Sequence, residues 1–222
     1  MGAKTWMLVY VAGNASEILK KKPLLDRAAS TAFAQRLFPN DGLLALEDGD
    51  LSHTCPADDE IVVAYFPGLA LVAAKEFAGD YPSRLPARFV DALPGHKVYL
   101  HAMHSAVDWF AYACWSDGKL QRSLSLSPDS GVLEDLGTRL PFEMPFWAGV
   151  HPAVDPDDAD DTYPFVFHPL ELGEAALLAL FGYQLEGVTD AASLEPEAIA
   201  LMRFKRGTSR KSFLSKLLRP WS

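Results

Sequence analysis

Hydrophobic and polar positions alternate most clearly between residues 109 and 127, where the pattern predicts a β-hairpin. Residues 109–115 are rich in aromatic side chains, residues 120–127 alternate, and Asp117-Gly118 lies between the two runs. Asp-Gly suits a two-residue type I′ turn because both central residues of that turn need positive φ. Such a turn would place Ser116 opposite Lys119 and fix every later pair along the two strands.

The predicted register gives the hairpin two unlike faces, since side chains alternate along a strand. One face would hold Trp109, Ala111, Ala113 and Trp115 opposite Leu126, Leu124, Arg122 and Leu120. The other would hold Asp108, Phe110, Tyr112 and Cys114 opposite Ser127, Ser125, Ser123 and Gln121. Two interpretations follow: a core face backed by a partly solvated face, or a polar groove floored by the hairpin.

The same periodicities place the other elements. Strands are predicted over residues 5–12, 61–66, 69–77 and 98–105, with a short extended piece at 42–51. Helices are predicted over residues 25–37, 86–93, 170–181 and 193–206. The order, β-α-(β)-β-β-α-β-β-β, has the rhythm of the split β-α-β layout of ferredoxin-like folds.

These elements predict a single α+β domain over residues 1–202, with a mainly antiparallel sheet and helices packed on one face. The hairpin would extend the ferredoxin-like core. Residues 203–222 are predicted to form a basic amphipathic tail, whose apolar side would hold Phe213, Leu214, Leu217, Leu218 and Trp221. A helix of this kind suits a membrane surface or a partner protein, or it packs on the acidic body of its own chain.

Composition narrows the class of protein. The chain has 222 residues, of which 49% are hydrophobic and 22% charged, as in an ordinary globular protein. No apolar run approaches the roughly 20 residues that span a bilayer, and two cysteines make no disulfide framework, so a reduced, cytoplasmic protein is expected. Residues 203–222 hold seven Lys and Arg and no acid, so within a total of −9 the rest carries −16. That charge argues against general nucleic-acid binding.

His101, His104 and Asp108 form the first candidate site. In a regular strand His101 and His104 would point to opposite faces, but a bulge near residues 105–106 would bring His104 and Asp108 together as a general base and its orienting carboxylate. A metal site and histidines satisfied by backbone groups are the alternatives. Arg122 and Glu134 are expected near this pair. Glu134, Asp135 and Glu143 are interpreted as a solvated acidic loop, and the alternative is that they pair with His104 or Arg122 across the groove.

The remaining polar groups have no spacing that dictates a reaction. The serines at 123, 125 and 127 lack the strained turn of a nucleophile, and the acidic run at 155–161 lacks the glycine and glutamate of a calcium loop. His53-x-Cys55 has no partner at zinc-type spacing. Neither a G-x-G-x-x-G nor a Walker sequence occurs. No cofactor and no metal is therefore predicted.

Five stretches of the sequence carry a family resemblance. They are MGAKTWMLVY, VYLHAMHSAVDWFAYACWSDG, SLSLSPDSGVLEDLG, LPFEMPFWAG and FHPLELGEAALLALFG, all within residues 1–187. On these stretches the chain resembles a family of uncharacterised actinobacterial proteins, a domain of unknown function. The resemblance implies a bacterial cytosolic protein, and it brings no activity, substrate or catalytic residue.

The sequence leaves open whether the protein is an enzyme. The leading hypothesis is a non-enzymatic binding module that meets a protein or small molecule at the polar face of the hairpin, at the Pro-rich segment 141–152 or at the basic tail. The alternative is a small-molecule hydrolase or transferase with His104 as base, Asp108 as its orienter, and Arg122 or Glu134 nearby. Peripheral membrane association through the tail is a third hypothesis.

Overall fold

A computed structural model describes residues 2–154, 163–187 and 193–208. Its strands are β1 (Lys4–Val11), β2 (Asp41–Ala45), β3 (Gly49–Asp50), β4 (Glu60–Phe66), β5 (Leu69–Ala73), β6 (Lys97–His104), β7 (Trp109–Ser116), β8 (Lys119–Ser127), β9 (Gly131–Gly137) and β10 (Ala200–Thr208). Its α-helices are α1 (Ala15–Lys20), α2 (Arg27–Leu37), α3 (Ala87–Val90), α4 (Met144–Trp147) and α5 (Pro169–Phe181). Short 3₁₀ helices lie at Lys75–Phe77, Pro82–Arg84, Ser105–Val107, Pro141–Glu143 and Pro196–Ala198. Within these ranges no helix has both the length and the apolar character needed to cross a bilayer.

The ten strands form one antiparallel sheet in the order β2-β10-β4-β5-β1-β6-β7-β8-β9, with β3 also paired to β10. β1 lies in the middle and sends its side chains alternately into two cores. Met7 and Val9 enter one core, and Leu8 and Tyr10 enter the other. A strand that is covered on both faces reads as an uninterrupted apolar run, which is the pattern of residues 6–11.

Helices cover both faces of the sheet. Leu19 of α1 and Leu172 of α5 join the core on one side, here called the α5 face. Phe33 and Leu37 of α2 join the core on the other side, the α2 face. The predicted α+β class with a large antiparallel sheet is confirmed, but the prediction of helices on one face only is wrong. The ferredoxin-like rhythm is not confirmed, since the sheet has ten strands.

The last strand corrects two further predictions. The helix predicted over 193–206 is instead a 3₁₀ turn followed by β10. Met202 and Phe204 enter the α2-face core while Leu201 enters the α5-face core, which is a period of two. β10 fills the gap between β2 and β4. Because it runs to 208, the sheet crosses the predicted boundary at residue 202, and the predicted amphipathic helix of the tail lies outside the described residues.

The predicted turn of the hairpin is confirmed. Asp117 and Gly118 have φ of 51° and 71°, as a type I′ turn requires. Ser116 lies opposite Lys119, which is the predicted first pair. The turn residues therefore specify the reversal of the chain locally.

The predicted register of the hairpin is correct through the pair of Trp115 and Leu120 and wrong from Cys114 onward. It shifts between Cys114 and Trp115, where Gln121 is an extra residue on β8, so that Arg122 lies opposite Cys114 instead of Ala113. A one-residue bulge moves every later side chain of its strand to the other face. β7 keeps its predicted faces, but β8 is inverted from residue 122 onward.

Candidate functional site

Ser123 and Ser125 of β8 are buried in the sheet instead of lining a groove. After the bulge they project to the α2 face, and Ser123 and Ser125 are fully buried. The Ser125 hydroxyl accepts a hydrogen bond from Trp109 Nε1 at 3.2 Å, and the Ser123 hydroxyl donates to Glu134. The hypothesis of a polar groove floored by the hairpin is therefore wrong.

Arg122 projects to the opposite, α5 face and is completely buried. Its Nε and Nη2 donate to the two carboxylate oxygens of Glu143 at 3.1 and 2.7 Å, and its Nη1 donates to Asp135 at 2.5 Å. The Tyr112 hydroxyl also donates to Glu143. Burial lowers the pKa of Arg122, but the hydrogen bonds that it donates to the two carboxylates outweigh this effect, and the net shift of its pKa is upward. Arg122 is thus the centre of an enclosed ionic network.

Glu134 lies away from Arg122, on the other side of the sheet. Its carboxylate accepts hydrogen bonds from the Ser83 backbone N–H at 3.0 Å, from the Ser83 hydroxyl and from Ser123. These contacts tie the 3₁₀ helix Pro82–Arg84 to the α2 face of β8 and β9. The sheet therefore separates two of the residues that the sequence predicts to share a site.

His104 and Asp108 do not form the predicted pair. His104 Nδ1 accepts a hydrogen bond from the Ala106 backbone N–H at 3.3 Å. Asp108, at φ 47°, turns instead toward His168, whose Nε2 lies 3.6 Å from Asp108 Oδ2. Within the described ranges no hydrogen bond joins His104 to Asp108, so a base with its orienter is not assembled there.

His101 and His168 have structural contacts of their own. His101 is fully buried and its Nε2 lies 3.0 Å from the Gly173 carbonyl of α5. Burial lowers the pKa of His101 to about 4, so its imidazole is neutral and donates this bond. His168 caps α5 by accepting the Leu170 N–H at its Nδ1, 3.3 Å away. No sequence spacing links residues 108 and 168, and their proximity arises only from the fold.

The Pro-rich segment 141–152 covers the core instead of presenting its aromatic side chains to a partner. Phe146 is buried in the α5-face core, and Phe142 and Trp147 pack against the same core with partial exposure. Phe146 also packs against Phe167 and His151, at ring-centroid distances of 5.8 and 4.4 Å. The interpretation of these aromatics as a contact surface is therefore weakened.

A pocket of about 320 Å³ on the α2 face does contain one predicted residue, His104. We call it the Trp6 pocket. Its lining consists of Trp6, Lys75, Ala78, Asp80, His104, Val107, Trp109, Ser127, Asp129, Ser130 and Leu133. It lies where β1 begins, β5, β6 and β8 end and β7 begins, so residues far apart in sequence meet at one end of the sheet.

Two residues that line the Trp6 pocket, Trp6 and His104, have ring N–H groups with no hydrogen-bond acceptor among the described residues. Trp6 and His104 are stacked, with ring centroids 6.1 Å apart and an interplanar angle of 17°. The Trp6 indole N–H is buried and has no partner among the described residues. His104 accepts at Nδ1, so its neutral ring carries the proton on Nε2. Burial, with the charge of Lys4, lowers the pKa of His104 and favours this neutral form.

Lys75 adds a cationic group to the lining of the pocket. Its ammonium lies 4.9 Å from the centroid of the Trp6 ring, a cation–π contact. Asp80 and Asp129 supply carboxylates from the loops that follow Lys75–Phe77 and β8. The sequence did not predict Trp6, Lys75, Asp80 or Asp129 as site residues, because no periodicity relates the start of β1 to the ends of β5 and β8.

A larger cleft of about 1000 Å³ lies on the other side of the same sheet end. Its rim holds an Asp50–Ser52–His53 cluster, in which His53 Nδ1 lies 3.3 Å from Asp50 and 2.8 Å from the Ser52 hydroxyl. Cys55 also lines the cleft, and burial raises the pKa of its thiol, which opposes a nucleophilic role. Residues 188–192, between two of its lining segments, lie outside the described part of the chain.

Metal binding finds no support in the part of the chain that the structure describes. There, no three His, Cys, Asp or Glu side chains converge as a metal site. The acidic run at 155–161, which lacks the glycine and glutamate of a calcium loop, lies outside the described residues.

Comparison with known proteins gives a family and no activity. No curated protein and no solved structure matches the chain. The family described as "Family of unknown function (DUF6928)" matches residues 5–204. That stretch runs from β1 into β10 and includes every residue of the Trp6 pocket. The chain therefore belongs to this family of unknown function.

Proposed function

We propose that this protein is a binding module for a small molecule and that the Trp6 pocket is its ligand site. The observation that carries the proposal is the stacked pair of Trp6 and His104 in the wall of one concave site, where the Trp6 indole N–H is buried without a partner among the described residues and His104 accepts at Nδ1, so that its Nε2–H remains a donor. A buried donor without a partner costs about 1–3 kcal/mol. A ligand with an acceptor group would recover that free energy.

The size and lining of the pocket support a small ligand. Its volume of about 320 Å³ is near the lower end of the roughly 300–1,000 Å³ of small-molecule sites. Two indole rings, Trp6 and Trp109, supply apolar area, and a few polar groups stand around them. Such a combination of apolar walls and few directed polar groups is typical of ligand sites.

Binding accounts for the site better than acid–base catalysis does. The hydrolase or transferase hypothesis needs Asp108 to orient His104, and Asp108 faces His168 instead. Arg122 and Glu134, the other residues of that hypothesis, are held in separate networks on opposite faces of the sheet. What remains beside His104 is a set of donors, acceptors and aromatic rings suited to recognition.

The proposal can be tested by NMR on the full-length, ¹⁵N-labelled chain with a library of small polar fragments. We expect hits that shift the indole N–H resonances of Trp6 and Trp109. Ser130 is exposed and lines the pocket, so Ser130→Trp should fill it and abolish these shifts. Thr138→Trp places the same ring at an exposed position outside the pocket and should leave them unchanged.

Two outcomes would refute the proposal. In the first, fragments bind but shift only residues of the larger cleft, such as His53 and Leu185. In the second, the indole shifts persist in Ser130→Trp at unchanged affinity. Both variants need thermal unfolding curves like that of the wild type, so that loss of binding is not loss of fold.

A further inference from the structure

Charged side chains of both signs line the Trp6 pocket without neutralising one another. Lys75 supplies an ammonium, whose ion-pair contact in the described chain is with Asp58 at 3.8 Å, outside the pocket. Asp80 and Asp129 supply carboxylates, and neither forms an ion pair with a residue of the ranges 2–154, 163–187 and 193–208. A ligand with one anionic and one cationic group would find a partner for each.

The donors of the pocket are neighbours and define where an anionic group would bind. The Lys75 ammonium lies over the Trp6 ring, and the same ring is stacked with His104. Lys75 and His104 offer only N–H donors to a ligand, because His104 accepts at Nδ1, and the ring of Trp6 packs against both. A carboxylate has two oxygens that can accept several hydrogen bonds at once.

The carboxylates and the apolar side chains of the Trp6 pocket indicate which other groups the ligand carries. Asp80 and Asp129 are exposed carboxylates on two loops of the rim, where an ammonium group could be bound by both. Apolar side chains complete the lining, and they are Ala78, Val107, Trp109 and Leu133. The lining thus offers separate environments for an anion, a cation and an apolar group.

From this arrangement we infer that the ligand of the Trp6 pocket is a small zwitterion with an apolar side chain, of the α-amino-acid class. The inference rests on the proposed function and specifies its ligand. The carboxylate binds at Lys75 and His104, and the ammonium binds at Asp80 and Asp129. A volume of about 320 Å³ suits a single amino acid better than a peptide.

Three probes of one shape separate the charges. L-leucine carries both groups, leucinamide lacks the anion and 4-methylpentanoate lacks the cation. We expect isothermal titration of the full chain to give L-leucine a Kd at least roughly tenfold lower than either half-ligand, since a hydrogen bond to a charged group contributes about 1.5–3 kcal/mol.

Variants assign each charge to its partner. Lys75→Ala should weaken L-leucine by roughly tenfold or more and leave leucinamide unchanged. The double variant Asp80→Asn, Asp129→Asn should weaken L-leucine similarly and leave 4-methylpentanoate unchanged. Lys119→Ala, at an exposed lysine of the hairpin turn, is the control for nonspecific charge effects and should change none of the three affinities.

The outcomes distinguish this inference from the proposed function. Equal affinity for all three probes, abolished by Ser130→Trp, would overturn the zwitterion and leave the binding module standing. The zwitterion would also be overturned, with the binding module still standing, if L-leucine, L-valine and L-phenylalanine fail to bind while other fragments shift the Trp6 indole resonance. Binding of L-leucine that Ser130→Trp does not affect would overturn both.

Discussion

At the residue scale, the Arg122 network is the feature whose disruption we expect to lower the free energy of unfolding most. A buried ion pair contributes little relative to apolar packing, but removing one partner leaves the other charge without compensation. Both Arg122 and Glu143 have side chains with no solvent exposure. Glu143 also accepts hydrogen bonds from Tyr112 and from the Leu140 N–H. The network therefore fixes how the segment after β9 covers the α5 face.

We expect Arg122→Met to lower the free energy of unfolding by about 3–5 kcal/mol, because it leaves Glu143 buried and unpaired. The double variant Arg122→Met, Glu143→Leu should cost at least about 1 kcal/mol less than the sum of the two single changes. Equilibrium unfolding in urea measures all three. Arg139→Met is the control, since Arg139 contacts Asp135 from an exposed position and should cost under about 1 kcal/mol.

A second buried carboxylate predicts a pH dependence. Burial, together with the charge of Glu186, raises the pKa of Glu174 to about 7. Hydrogen bonds from the backbone N–H groups of Leu185 and Glu186 act in the opposite direction but do not cancel this rise. Between pH 4.5 and 7 the folded chain therefore keeps a proton that the unfolded chain has released. More bound protons in the folded state mean that stability falls as pH rises through this window.

Glu174→Gln should remove this fall. We expect the difference in unfolding free energy between the variant and the wild type to grow with pH, at up to about 1.4 kcal/mol per pH unit. His101 acts in the opposite direction, because its lowered pKa of about 4 makes stability rise with pH toward 6.5. It is present in both proteins, so the difference isolates Glu174. A difference that is flat across the window would contradict the raised pKa.

Residue types were easier to predict than residue pairs. The sequence identifies His104, Asp108, Arg122 and Glu134 as chemically notable, and the structure gives each of them polar contacts. One alternative from the sequence pairs Arg122 with Asp135 and Glu143, and the structure contains both pairs. The partners of Glu134 and Asp108, Ser83 and His168, come from distant segments. A single sequence contains no periodicity that relates such positions, so those pairs were beyond prediction.

At the element scale, the hairpin shows that a turn sequence specifies the residue pairs next to the turn but not the pairs farther along the strands. Asp117-Gly118 specifies the turn because few residues tolerate its backbone angles. The sequence around Gln121 has no feature that predicts a bulge. The register past it follows from burial, because Leu124 and Leu126 belong to the α5-face core while Arg122 reaches Glu143 on that face. That preference depends on segments outside the hairpin.

Helix α5 packs closely against the sheet at Gly173. A Cβ built there would lie 3.0 Å from Met103 Sδ and 3.1 Å from Phe110 Cδ2. Alanine is the better helix former by about 1 kcal/mol. We nevertheless expect Gly173→Ala to destabilise the protein by about 1–3 kcal/mol, because the added methyl overpacks the β6–β7 surface.

Thermal and urea unfolding would measure this effect. Glu171→Ala, an exposed position on the same helix, is the matched control and should change stability by less than about 0.5 kcal/mol. If Gly173→Ala raised the stability, helix propensity would have outweighed contact and the helix would have to lie farther from β6 and β7.

At the scale of the whole molecule, β10 joins the last described residues of the chain to the interior of the sheet. It pairs with β2 on one side and β4 on the other, and Phe204 enters the α2-face core. The class, α+β with an antiparallel sheet, was predictable because strand and helix periodicities are local. The order of the strands was not, since inserting the last strand between β2 and β4 is a long-range event.

Truncation tests the boundary directly. We expect a chain of residues 1–208 to unfold cooperatively, whereas a chain of residues 1–202, which ends at the boundary predicted from sequence, loses all of its pairing with β2 and most of its pairing with β4. Circular dichroism and urea unfolding would show a transition at much lower denaturant, or none, for the shorter chain. Equal midpoints would mean that β10 contributes nothing to the fold.

The place of β10 in the sheet also has a consequence for biosynthesis. Among the described strands β2 pairs only with β10, so it is synthesised more than 150 residues before the strand that completes it. Until β10 is added, the growing chain leaves one edge of β4 open, and most side chains of β4 are apolar and buried in the folded protein. Open edges pair readily with other chains. Incorporation of residues 200–208 into the sheet is thus the step that covers the edge of β4, and a delay before that step would prolong the time in which this edge is open to other chains.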